Sequence, residues 1–279
     1  MYRFLFSARW LGWLALVMLI AAGCVGLGRW QFERREAVVA DIQRIEANYD
    51  AEPVDYVPGE RLLDSYDPAR EWTPVTFRGT YDVGQQVVVR NRPLNGQPGY
   101  EVLTPLRLED GSAVVIDRGW LPIGNAEAGR PDEIPVPPRG QVEVTARIKP
   151  AEPAVNRGAP EGQVASIDLA SLAEGLDYPL QDAAYGLLDV ERPAAARTPI
   201  APPKPSIDEG PHLSYALQWF AFGVLAFVGL GYAARQQRRS DAEREGTRTE
   251  PTSRRRRPTA EEEEDAILDS QALRDEARR

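Results

Sequence analysis

Two stretches decide the architecture of this chain: WLGWLALVMLIAAGCVGLG at residues 10–28 and LSYALQWFAFGVLAFVGLGYAA at residues 213–234. Neither carries a charged side chain. At about 1.5 Å of rise per residue, helices of this length span about the 30 Å hydrocarbon thickness of a bilayer. Trp10, Trp13 and Trp30 stand near the ends of the first run, where indoles favour a membrane–water interface. The charge follows the same division. The 279 residues have a net charge of −9, yet residues 29–212 alone carry −11 and residues 235–279 sum to zero. The short N-tail (1–9) is basic, and residues 235–257 hold nine Arg against four acids. The positive-inside rule therefore predicts both termini in the cytoplasm, two membrane spans, and residues 29–212 on the outside. The cluster Arg29, Arg34, Arg35 on the outer side opposes this only slightly, because Glu33 and Glu36 balance it.

The first run has other readings. Arg3 and Arg9 followed by an apolar segment also describe a signal peptide, and Ala21-Ala22-Gly23-Cys24 resembles a lipoprotein cleavage box. The apolar run continues four residues past Cys24, which favours a retained helix.

The residue counts exclude much chemistry. A single Cys cannot close a disulfide within the chain, and a single His cannot build a multi-histidine metal site. Any Ser–His or Cys–His mechanism has only His212 available. No GxxxxGK[ST] or GxGxxG segment suggests nucleotide binding. Acids such as Glu101, Asp110, Asp117 and Asp168 form no recognisable catalytic constellation, so an enzyme is not expected. Two Lys against thirty-one Arg, with abundant Ala, Gly and Pro, points to a GC-rich, actinobacterial-type genome.

Between the spans, residues 29–50 read as an outward continuation of the first helix. Residues 51–70 read as a loop with a short helical turn. From residue 72 the apolar period becomes two, which is a strand signal. Strands are predicted at Pro74–Tyr81, Gln86–Arg92, Tyr100–Leu108, Ala113–Trp120 and Gln141–Ile148, with Asp110-Gly111 turning a hairpin. A short strand at Ala165–Asp168 leads into a helix at Leu169–Glu174, and a last strand covers Ala184–Leu188. The expected fold is thus a membrane protein: two transmembrane helices (10–28 and 213–234) flank an extracytoplasmic, antiparallel β-rich, barrel-like α+β domain (29–212). Pro-rich 193–211 reads as an extended tether. The tail runs from RRRRP (254–258) into EEEED (261–265) and reads as disordered from 237, with a short helix around Ala266–Arg278. Beside a membrane, its Arg block faces anionic lipid rather than nucleic acid.

Three motifs carry a family resemblance. They are LGRWQFER at 27–34; VIDRGWLP at 115–122, preceded by Arg90-Asn91-Arg92, Gly99-Tyr100 and Thr104-Pro105; and HLSYALQWF at 212–220. Their order and placement resemble the SURF1 family of cytochrome c oxidase biogenesis proteins, over about residues 27–235. The resemblance implies a bacterial cell-membrane assembly factor for cytochrome c oxidase, acting near insertion of haem a into the catalytic subunit. It implies subunit I and other assembly factors as partners, besides membrane lipid. A scaffold that docks oxidase subunits without binding haem is the alternative. In the family, a His at the outer end of the second helix is thought to ligate haem a, and that position is His212.

The residues support this in part. A neutral imidazole is a good haem ligand, and Tyr215, Trp219 and Phe220 share or flank its helical face. The same features also suit a helix-capping His beside an interfacial aromatic belt. Gln31 and Arg34, three apart, could pair with haem propionates or a partner carboxylate, or simply end the span by snorkelling. Trp30 reads first as an interface residue. Asp117 and Arg118 are consecutive on a strand and so point to opposite faces. A structural salt bridge is favoured over contact with a ligand there.

Overall fold

The structure, a computed structural model, describes residues 3–58, 63, 65–127 and 129–246. The chain divides into two compact units, residues 1–31 with 213–279 and residues 32–212. Helix α1 (Ala8–Asn48) is continuous and free of Pro, and it extends well past its apolar run. Helix α3 (His212–Gly246) begins immediately after Pro211. Both helices are long and apolar enough to cross a membrane. Small residues bring them close within the first unit. A Cβ on Gly28 would lie 2.7 Å from Cζ of Phe220, and one on Gly223 would lie 3.5 Å from the Cβ of Cys24. Such seams are how helices associate where no hydrophobic force drives them together. Cys24 is buried in this seam, while Leu19, Val224 and Leu225 point outward.

The C-terminal stretch differs from expectation. Helix α3 runs to Gly246, ten residues into the segment that its composition marks as disordered. Residues 235–246 are rich in Arg, Gln and Glu, which are good helix formers, and they extend a helix whose nucleation is already complete. The Gln237 amide donates to Asp241 one turn on. The RRRRP and EEEED blocks and the helix expected at 266–278 lie outside the described residues.

In the second unit the strands are β1 (Val54–Asp55), β2 (Pro74–Tyr81), β3 (Val87–Val89), β4 (Gly99–Leu108), β5 (Ala113–Pro122), β6 (Gln141–Pro150), β7 (Gln163–Val164) and β8 (Ala184–Arg192). A five-residue helix α2 (Leu169–Ala173) precedes β8, capped by Asp168. The hydrogen-bonded order is β1-β2-β6-β8-β5-β4-β3-β7, and β4 also pairs with β2. That extra pairing closes β2, β6, β8, β5 and β4 into a barrel. Its interior is an apolar cluster built from alternate residues of every wall, including Phe77, Leu106, Ile116, Val144 and Ile148.

The sheet is not wholly antiparallel, as the periodicity suggested. β5 and β8 run parallel, as do β1–β2 and β3–β7. The connection through β7 and α2 returns β8 between β6 and β5, antiparallel to the first and parallel to the second. Alternation marks a strand but says nothing of its partner's direction. The Pro-rich segment is also more tightly held than a tether. Ile200 exchanges two backbone hydrogen bonds of 2.8 Å with Trp120, and Arg197 and Lys204 pair with Glu133 and Asp50.

The end of α1 is clamped onto this domain. Tyr49 packs on Trp72 with ring centroids 5.7 Å apart. Arg147 and Lys204 lie over the Tyr49 ring, and Lys149 lies 3.9 Å over Trp72. Lys149 also pairs with Glu71 at 2.7 Å. The chain's two lysines (149 and 204) therefore both serve one contact.

Inside the barrel, Gly186 of β8 lets neighbouring walls meet. A Cβ there would approach Ala146 Cβ to 2.8 Å and Ile116 Cδ1 to 2.9 Å. Gly186→Val overpacks this layer and is expected to destabilise the protein by about 1–3 kcal/mol in denaturant melts of the detergent-solubilised chain. An unchanged midpoint would show that the walls can separate.

Candidate functional site

The residues singled out for haem or interface contact fall in two groups along the helices. On α1, Trp30 is exposed, Gln31 is half-buried and Arg34 is exposed. All three lie inside a continuous helix rather than at its end. On α3, His212 is the first helical residue and is half-buried, Tyr215 is about half-exposed, and Trp219 is half-buried. Trp219 packs edge-on against Phe222, with centroids 5.9 Å apart. The approach to His212 is ordered within the outer domain. Ser206 Oγ accepts from Asp208 N, and Asp208 Oδ1 from Gly210 N. Glu209 pairs with Arg35 of α1 at 2.7 Å. The Arg34–Arg35 turn and the last residues before His212 are thereby brought together.

Gly210 adopts a left-handed conformation (φ +67°), and a Cβ there would lie 3.6–3.7 Å from Cδ2 and Nε2 of the imidazole. Imidazole is a donor suited to haem iron, and aromatic residues stand three and seven positions on along the same helix.

A second concentration of chemistry lies on strand β5. Asp117 and Arg118 point to opposite faces, as the strand register requires, and both are buried. Gly119 between them and Trp120 has φ +122°, and a Cβ there would collide with the Ile200 carbonyl at 2.7 Å. Only glycine fits that bend.

Arg118 enters the barrel, with its side chain fully buried. Its Nη1 donates to the Pro135 carbonyl at 2.7 Å. Its Nη2 lies 3.5 Å from Glu191 Oε1, and the Tyr81 hydroxyl donates to Glu191 Oε2 at 3.0 Å. Burial, then the charge of Glu191, pushes the Tyr81 phenol well above its ordinary value. Nε and Nη2 of Arg118 and Oε1 of Glu191 make no hydrogen bond, so the pair is only partly satisfied. The structural salt bridge expected on β5 thus belongs to Arg118.

Asp117 makes no ion pair among the described residues. Its Oδ1 accepts from Gly119 N at 2.9 Å. Nearby, Arg92 lies 2.9 Å from Glu101 and 2.5 Å from Glu152, and Glu152 also accepts from Ile167 N at 3.0 Å. Burial, then the charge of Glu101, pushes the Asp117 carboxyl up to about 8. Burial likewise raises Glu101. Burial also disfavours the charge on Glu152, but the hydrogen bonds from Arg92 and Ile167 outweigh it and hold that carboxyl below its usual range. Arg92 is itself locked, because the Trp120 indole donates to its carbonyl at 2.7 Å. The sequence pointed to Asp117 and Arg118 but not to Glu191 or Glu152 as partners. The available signal was a charge at an inward-facing strand position, visible for Glu191 only if the last strand extends past Leu188.

The profile of the SURF1 family matches residues 18–224. An uncharacterized SURF1-like protein of Mycobacterium tuberculosis is 32% identical over 246 residues, covering 80% of this chain and 83% of that protein. Surfeit locus protein 1 of Rattus norvegicus is 24% identical over 223 residues, covering 73% of this chain and 70% of its own length. The mouse protein of that name is 26% identical over 121 residues, 38% of either chain.

Two outcomes follow from the buried charges. Below about pH 4 both the folded and the unfolded chain hold the Asp117 proton, so the group costs nothing. As pH rises to about 8 the unfolded chain gives up that proton while the folded chain retains it, and stability falls across this window. Asp117→Asn keeps the acceptor for Gly119 and is expected to flatten the decline in urea midpoints between pH 5 and 8. A wild-type slope in this variant would contradict it. Arg118→Leu leaves the Glu191 charge unpaired and is expected to cost about 3–5 kcal/mol. Adding Glu191→Gln should recover much of that loss.

Proposed function

The chain belongs to the SURF1 family, and from that premise we propose that it is a membrane-anchored assembly factor for cytochrome c oxidase. It assists delivery or insertion of haem a into the catalytic subunit, or stabilises that subunit, and it does not itself catalyse a reaction. Helices α1 and α3 cross the bacterial cell membrane, both termini are cytoplasmic, and residues 29–212 stand outside. The apolar runs and the basic residues at 1–9 and 235–257 support this arrangement.

One observation carries the cofactor side of the reading. The chain's single His opens an apolar helix, with aromatic residues three and seven positions on. Haem a would supply an iron centre that takes a nitrogen donor. His212 would supply an imidazole donor to such a centre, at the start of the apolar helix. Tyr215 and Trp219 provide aromatic faces along the same helix. Arg34 and Gln31 offer a cation and an amide suited to propionate groups, with Trp30 at the interface. A single His with no Met-based second ligand suits a hold that is released on transfer. Oxidase subunit I, other assembly factors and membrane lipid are the partners of this reading.

A deletion strain is expected to lose most a-type haem absorbance and oxidase activity from its membranes. Unchanged membranes would sink the assembly role. Protein purified from a haem a-producing host is expected to carry haem absorbance that His212→Ala abolishes. A haem-free His212→Ala protein that still restores oxidase would instead favour the scaffold, in which the acidic outer domain docks oxidase subunits without the cofactor.

A further inference from the structure

In a domain carrying −11, most half-buried cations find a carboxylate, but half-buried Arg90 does not, and neither does exposed Arg157. Among the described residues neither has an ion-pair partner, and both line one cleft of about 540 Å³ beside the end of β3. Arg92 is on the same wall. The one acid lining the cleft is Glu152, and Arg92 already neutralises it at 2.5 Å. The cleft therefore keeps two uncompensated guanidinium groups.

The wall that carries them is built rather than loose. Arg90 N bonds to the Val164 carbonyl at 3.0 Å and Arg92 N to the Gly99 carbonyl at 2.9 Å. Asn91 between them takes a left-handed conformation (φ +59°), and all three residues line the cleft. Arg90 makes only a long 3.5 Å contact to the Gly158 carbonyl, which leaves most of its donors available. On the other side of Arg90 and Asn91, a second cleft of about 410 Å³ is lined by Arg130, which pairs with Glu127 at 3.4 Å.

We propose that the Arg90–Arg157 cleft binds a small molecule through an oxyanion group, a carboxylate or a phosphate. Guanidinium presents paired N–H donors that match both anions in a bidentate fashion. A concave cleft concentrates the field of its charges, so two unpaired cations draw anions despite the acidic remainder of the domain. The volume exceeds that of a lone ion and falls in the range of about 300–1,000 Å³ typical of small-molecule sites. The ligand therefore has a body beyond its charged group. The site is formed wholly by the outer domain and does not depend on haem or on His212.

The test uses the full chain in detergent, with pyrophosphate and citrate as separate probes and chloride at matched ionic strength as the baseline. Equilibrium dialysis measures binding. Trp120, bonded to the Arg92 carbonyl, makes tryptophan fluorescence a second readout near the cleft. At least one probe is expected to bind above the chloride baseline. Tighter pyrophosphate binding assigns a phosphate ligand, tighter citrate binding a carboxylate, and similar binding a shared oxyanion site. Arg90→Gln and Arg157→Gln should each weaken binding about tenfold. Arg139→Gln, which removes the same charge from an exposed turn, should leave it unchanged. The proposal is overturned if neither probe exceeds chloride, or if Arg139→Gln weakens binding as much. It is equally overturned if binding survives both cleft substitutions, which would place the anion elsewhere, for instance on the arginine block at 254–257. None of these outcomes bears on oxidase assembly.

Discussion

Strand β4 hydrogen-bonds along one edge to two different strands. Residues Leu106–Leu108 pair with β2, and Glu101–Leu103 pair with β3. The first pairing closes the barrel and the second starts the outer layer that carries β7. A register shift against β5 between Glu101 and Leu103 accompanies the change of partner. Without this division of one strand, Phe77 and Ile116 would have no closed interior to fill, and the Arg92–Glu152 network would have no outer layer to sit in.

Closure also explains why strand β5 carries charge on both faces. A strand in the wall of a small barrel is covered inside by the core and outside by the added layer, so both Asp117 and Arg118 are buried. Each face answers differently. Inside, Arg118 has a carboxylate and a carbonyl within reach. Outside, Asp117 faces other acids and a single cation already shared by two of them, so its proton is retained. Two adjacent residues thus solve the cost of buried charge by pairing in one case and by neutralisation in the other.

The arginines of the outer domain fall into two kinds. Arg92, Arg118 and Arg147 are bound to acids of the same domain and stabilise its shape. Among the described residues Arg90 and Arg157 have no such partner, and they border a cleft. Between these lies the α1 clamp, where Tyr49 and Trp72 convert Arg147 and both lysines into packing contacts. The clamp joins the end of α1 to the sheet, and the Arg35–Glu209 pair joins the same helix to the approach of α3.

Much of this was legible in the residues alone. The two apolar runs, the acidic middle and five strands, with β2 placed at the bounds Pro74–Tyr81, follow from local periodicity and charge, which are properties of neighbours in the chain. The turn glycines and the opposed directions of Asp117 and Arg118 follow from the strand period of two. The single His could be marked as a candidate ligand because it is unique and begins an apolar run. Other features depended on distant residues meeting in space. Barrel closure, the parallel β5–β8 pair, the pinning of residues 193–211 and the helical run to Gly246 rest on contacts or continuity that composition does not reveal. The same holds for chemistry. Asp117 and Arg92 are ordinary ionisable residues in the sequence. Only the tertiary structure decides that one keeps its proton and the other is shared between two acids, because burial and neighbouring charge set those states.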